Sequence, residues 1–155
     1  MKKKLLVILL IITLAVIWGQ SALDRGQSTK ESSWVFEKIE SVMRFIVGPE
    51  LANERLLRMI AHFGEFFLLS SEAMILCILL GRKTIKGIIT VFMLSNFCAL
   101  LDETIQIFSS RGSAVSDVWI DTAGAVSGII FVLYIVAIIS SIKEERGCRE
   151  KHTDS

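Results

Sequence analysis

Four apolar stretches run through the chain, and the ionisable residues that interrupt them fall at one end of the pattern. Leu5 to Trp18 carries no charge. A second stretch starts near Leu57 and runs to Leu80, with His62 and Glu65 in its first turns. A third, from Ile88 to about Phe108, is uncharged until Asp102, Glu103 and Gln106. The fourth, Val118 to Ile142, is uncharged once Asp117 and Asp121 are passed. About 20 apolar residues suffice to cross a bilayer as a helix, so the pattern predicts spans near 5–19, 58–80, 88–108 and 118–142. The first span follows three lysines, the order a signal peptide also shows, but the small-x-small positions around Gly19 to Ala22 make a poor cleavage site, and a retained span is expected.

Residues 19–57 are polar and of mixed charge. Inside them Trp34, Val35, Ile39, Val42, Met43 and Ile46 recur at helical spacing, with Glu37, Lys38, Glu40 and Arg44 on the other face. That segment reads as an amphipathic helix on the membrane surface or capping the bundle. The expected fold class is therefore an all-α membrane protein of about four transmembrane helices plus one amphipathic helix. It forms one domain over residues 1–155.

Composition agrees. Of 155 residues 52% are hydrophobic, too many for an ordinary soluble domain of this size. The net charge of +1 gives no basis for a nucleic-acid partner. What matters is where the cations sit: Lys2 to Lys4, the 82–86 connection and the tail 143–155 all fall on one side of the spans. The positive-inside rule then places both termini in the cytoplasm of a multi-pass plasma-membrane protein and makes 19–57 extracytoplasmic. Cys77, Cys98 and Cys148 offer no disulfide framework.

A charged residue in the hydrocarbon region costs about 2.5 to 3.5 kcal/mol on insertion scales, so these interruptions read as one outward-facing polar site. Residues three or four apart share a helix face: His62 with Glu65, Asp102 with Gln106, Asp117 with Asp121. Continuing the last stripe reaches Gly124 and Gly128, a GxxxG spacing for close helix packing. The five carboxylates Glu65, Asp102, Glu103, Asp117 and Asp121 outnumber the nearby cations, Arg111, Arg58 and His62. A surplus of that kind suits a proton relay or a divalent cation, with Glu65, Asp102 and Asp117 as candidate ligands. Asp102 and Glu103 are adjacent and face differently, so one should be the site residue and the other its support. The plainer reading, internal pairing that glues helices together, needs no ligand.

Three strings carry a resemblance. Ala61-His62-Phe63-Gly64-Glu65-Phe66, then Asp102-Glu103-Thr104-Ile105-Gln106-Ile107-Phe108, then the segment from Arg111 to Gly124 with Asp117 and Asp121, together resemble the VanZ-like membrane protein family. The likeness extends from about residue 5 to 142. Asp121 stands where that family usually has Asn, and Phe66 where it usually has Tyr. The resemblance implies a bacterial cell-envelope protein associated with resistance to the glycopeptide teicoplanin, and its polar positions match His62, Glu65, Asp102, Glu103, Gln106, Arg111 and Asp117.

The expected function is an outward-facing pocket that binds or modifies an envelope component, a lipid-linked or cell-wall glycan molecule. If catalytic, it would carry out hydrolysis or group transfer. His62 or Glu65 would then be the general base, Asp102 and Asp117 would hold a cation or position water, and Arg111 would bind the anionic group; Glu103 belongs to the same catalytic set, and Gln106 and Asp121 to the substrate contacts. The rivals are a non-catalytic binding or assembly module and a small proton-coupled transporter. The transporter needs a polar path through Ser70, Ser71, Glu72, Ser95 and Asn96.

Overall fold

The computed structural model describes residues 2–23, 25–82, 84–109 and 115–153, and all regular structure among them is helical. α1 (Lys2–Ser21), α3 (Glu54–Leu79), α4 (Ile85–Phe108) and α5 (Val115–Thr153) are each long and apolar enough to cross a membrane; α2 (Arg25–Val47) is the amphipathic segment between the first two. Many large apolar side chains face outward, among them Leu5, Ile11, Met93, Phe97, Ile130 and Phe131. Such a surface is stable in lipid and not in water.

Local signals set the helix ends. Asn53 caps α3, its side chain accepting from the Leu56 amide at 2.9 Å, which starts the helix several residues before the apolar run. At the other end Gly81 takes φ 80°, and the Arg82 and Gly81 amides donate to the Cys77 and Ile78 carbonyls at 3.0 Å. This is a Schellman closure, and it turns the chain into α4 through a short connection, residues 80–84. α5 does not stop at the apolar boundary near Ile142 but continues through Thr153. Exposed Lys143, Glu144, Glu145 and Arg146 are good helix formers and leave the helix no reason to end on reaching water.

The four long helices alternate in direction. Lys3, Lys4, Val7 and Ile8 of α1 lie beside Leu76 of α3 and Leu80 just past its end, so the basic start of the chain and the 80–84 connection share one end of the bundle. Met74, Cys77, Val91, Ile129 and Val132 form an apolar core there. A second core of Ile17, Phe66, Leu69 and Ala99 lies toward the opposite end. Between α3 and α5 the packing is tightest: a Cβ on Gly124 would strike the Phe63 carbonyl, and one on Gly128 would strike the Phe67 carbonyl and the Ser70 hydroxyl. The two glycines are why these helices can approach so closely. α2 meets α3 through Ser33, whose hydroxyl donates to Glu54 at 2.8 Å, and buries Met43 while leaving Trp34, Val42, Phe45 and Ile46 exposed. Its apolar face extends beyond the bundle.

Candidate functional site

The bundle end away from the lysines collects the polar residues of four helices. Asp102 is fully buried on α4. Its Oδ1 accepts from the Ser21 hydroxyl of α1 at 2.6 Å, and its Oδ2 accepts from the Gln106 amide, one turn on, at 2.8 Å. Ser109 in turn donates to the Ser21 carbonyl at 2.7 Å, which anchors the end of α1. On the neighbouring side Asp121 of α5, also 0% exposed, places Oδ1 at 3.1 Å from His62 Nδ1 of α3. The two form an ion pair whenever the imidazole is protonated.

Glu103 lies between these groups. It is 6% exposed, and neither of its carboxylate oxygens has a hydrogen-bond partner among the described residues; the same holds for Asp121 Oδ2. Leaving a buried acceptor unsatisfied costs about 1–3 kcal/mol, and more when it is charged. His62, Asp102, Glu103 and Asp121 each offer one donor atom, all within 4.8 Å of one another. Four potential ligands from three helices thus converge on one small volume, and part of that convergence is unspent on protein hydrogen bonds.

His62 also lines a cavity of about 350 Å³ that continues the cluster outward, together with Arg55, Arg58, Met59, Ser116, Asp117 and Ile120. The imidazole therefore touches both compartments, one acidic and sealed, the other open with two guanidinium groups in its wall.

The structure sorts the residues read from sequence. His62, Asp102, Glu103 and Asp121 come together. Asp117 is half-buried at the cavity wall, and Glu65 is half-buried; neither joins the four-residue group, so of Glu65, Asp102 and Asp117 as candidate ligands only Asp102 belongs to it. Asp102 and Glu103, adjacent on α4, are both buried, Asp102 held by Ser21 and Gln106. Gln106 is occupied by Asp102 and, at 3.4 Å, by Ser21, and Asp121 by His62. Arg111 lies outside the described residues. Ser21 was read only as the start of the polar segment after the first span, yet it holds Asp102; its place at the end of that span, level with the other polar groups, was a signal for this role.

Below the cluster other polar groups are satisfied internally. Thr13 donates to both oxygens of buried Glu72 at 3.0 and 3.3 Å, Thr122 donates to Asn96 at 2.6 Å, and Ser71 donates to the Phe67 carbonyl at 2.7 Å.

Comparison with known proteins turns on one match. The family model described as VanZ/LLP1 matches residues 6–139, which takes in all four members of the cluster and most of every span. The chain belongs to the VanZ/LLP1 family. No curated protein and no solved structure matches it. As a VanZ/LLP1 protein it is a multi-pass membrane protein of a family named for teicoplanin resistance, and the matched stretch includes His62, Asp102, Glu103 and Gln106, all of which the fold buries.

Proposed function

We propose that this VanZ-family protein turns its polar end out of the cell and there binds or modifies an anionic envelope component, a lipid-linked or glycan-bearing molecule, contributing to glycopeptide tolerance. The observation that carries this reading is the open cavity at His62. Its wall pairs Arg55 and Arg58 with Asp117 and the apolar side chains of Met59 and Ile120. Guanidinium groups favour phosphate and carboxylate, and a volume of this size accommodates a headgroup while the acyl part remains in lipid. Positive residues at the opposite bundle end favour the outward orientation.

If the bound molecule is modified, the chemistry is hydrolysis or group transfer, with His62 as proton acceptor. Asp121 orients the ring from within, and the cavity delivers the reacting group to it. A non-catalytic binding module is the second reading. It is favoured by the degree to which Asp102, Gln106 and Ser21 are spent on one another.

Lipid and cell-wall precursor profiling tests the proposal, comparing a deletion strain with strains carrying Arg58→Ala or Asp102→Asn at wild-type abundance, alongside teicoplanin susceptibility. Both variants should reproduce the deletion profile. Full complementation by both would refute the assignment. A product that disappears in the deletion strain, rather than a precursor that is merely redistributed, separates modification from binding.

A further inference from the structure

We propose that His62, Asp102, Glu103 and Asp121 form a binding site for a single divalent transition-metal cation, Mn²⁺ or Zn²⁺, buried among α3, α4 and α5. The proposal stands whether or not the cavity takes the envelope molecule suggested above; with a cation bound, His62 is a ligand and no longer the proton acceptor. Metal–ligand bonds to His and carboxylate of about 2.0–2.2 Å put donors roughly 3.3–3.6 Å apart in a tetrahedral shell and up to about 4.4 Å apart where they are opposed. The four donor atoms, all within 4.8 Å of one another, need to draw together by about an ångström, which side-chain rotation supplies.

The second observation is the state of Glu103. Its side chain is buried, both oxygens lack a partner among the described residues, and Asp121 Oδ2 beside it is in the same condition. The hydroxyl and amide that could have served them, on Ser21 and Gln106, are directed to Asp102 instead. Three carboxylates against one imidazole, inside a membrane-spanning bundle, form a cluster whose negative charge a divalent ion largely offsets. The donor set selects the ion. One imidazole nitrogen with carboxylate oxygens suits Mn²⁺ and Zn²⁺ better than Mg²⁺ or Ca²⁺, which favour oxygen-only shells.

The surroundings hold the ligands in place. Ser21 and Gln106 each occupy one oxygen of Asp102 while leaving lone pairs free, the usual support for a ligating carboxylate. Gly124, one turn beyond Asp121, allows α5 to lie against the α3 backbone at Phe63 and so brings Asp121 to His62.

The full-length protein, purified in detergent and stripped with chelator, should be dialysed against Mn²⁺ or Zn²⁺ separately, freed of excess ion and assayed for metal content, with melting temperature followed in parallel. We expect about one equivalent of one of these ions and a rise in melting temperature on binding. Glu103→Gln should weaken binding by at least about tenfold and abolish the rise, by analogy with the loss seen when a metal's supporting partners are removed. Glu72→Gln changes a buried carboxylate held by Thr13 away from the cluster and should bind as wild type does. Should Glu103→Gln fail to fold, Asp121→Asn takes its place. Folded wild-type protein that retains neither ion would overturn the site, as would Glu103→Gln protein that binds as tightly as wild type. Because the readout is metal on purified protein, it fails or succeeds independently of any envelope phenotype.

Discussion

Replacing Gly124 by alanine tests the packing that assembles the site. The new Cβ would collide with the Phe63 carbonyl oxygen and lie 3.1 Å and 3.2 Å from the Phe63 carbonyl carbon and Cα. These are backbone atoms of a helix and cannot swing aside as a side-chain tip would, so α3 and α5 must separate. Overpacking of this kind costs about 1–3 kcal/mol. Alanine returns up to about 1 kcal/mol through its better helix propensity, leaving a net loss of roughly 0–2 kcal/mol when that return is full. Separation also lengthens the 3.1 Å contact between His62 and Asp121, one turn away. Gly64, on an exposed face of α3 with nothing within 4 Å of its added Cβ, supplies the control: Gly64→Ala feels only the propensity term and should be neutral or slightly stabilising. Unfolding of the detergent-solubilised protein by denaturant, followed by circular dichroism, measures the difference as a shift in midpoint. If Gly124→Ala proved as stable as Gly64→Ala, the close approach of the two helices described above would be wrong.

Two further outcomes are expected. Asp121→Asn keeps an oxygen that can accept from His62 while removing one of three crowded carboxylates, so the metal-free protein should be as stable as wild type or more so, within about 1 kcal/mol, with weakened metal binding; a large fall in the melting temperature of the metal-free variant would contradict this. In a cysteine-less background, a cysteine placed at Glu50 should react with a membrane-impermeant reagent in intact cells and one at Thr84 should not; the reverse pattern would turn the site toward the cytoplasm.

Much of the fold was legible because lipid imposes simple demands. Apolar length gave the four spans, and period 3.6 put Asp117, Asp121, Gly124 and Gly128 on one face of α5, the face that packs against α3. Partner choice was less legible. α1 has almost no polar stripe to orient it, so nothing in its periodicity said that Ser21 would meet Asp102 or that Thr13 would meet Glu72. That Asp102 and Glu103 would both be buried was hidden for a different reason. Neighbouring residues on a helix point about 100° apart, which on a helix with a single buried face exposes one of them. α4 has neighbours on two sides: Asp102 turns to α1, Glu103 joins the groups of α3 and α5, and both become buried.

Asp121 connects the packing to the chemistry. At Asp121 the chain places a carboxylate at 0% exposure, with one oxygen on His62 and the other without a partner among the described residues. If the residue served only to fix the ring, an amide oxygen would accept the same hydrogen bond without adding charge to a space already holding Asp102 and Glu103. The carboxylate makes the fully ionised empty cluster less favourable, because its like-charge repulsion is relieved when a proton or a cation enters. The side chain that raises the electrostatic cost of the empty site would therefore also raise its affinity for the proposed cation, and it sits one helical turn from the glycine that sets how closely α3 and α5 can approach.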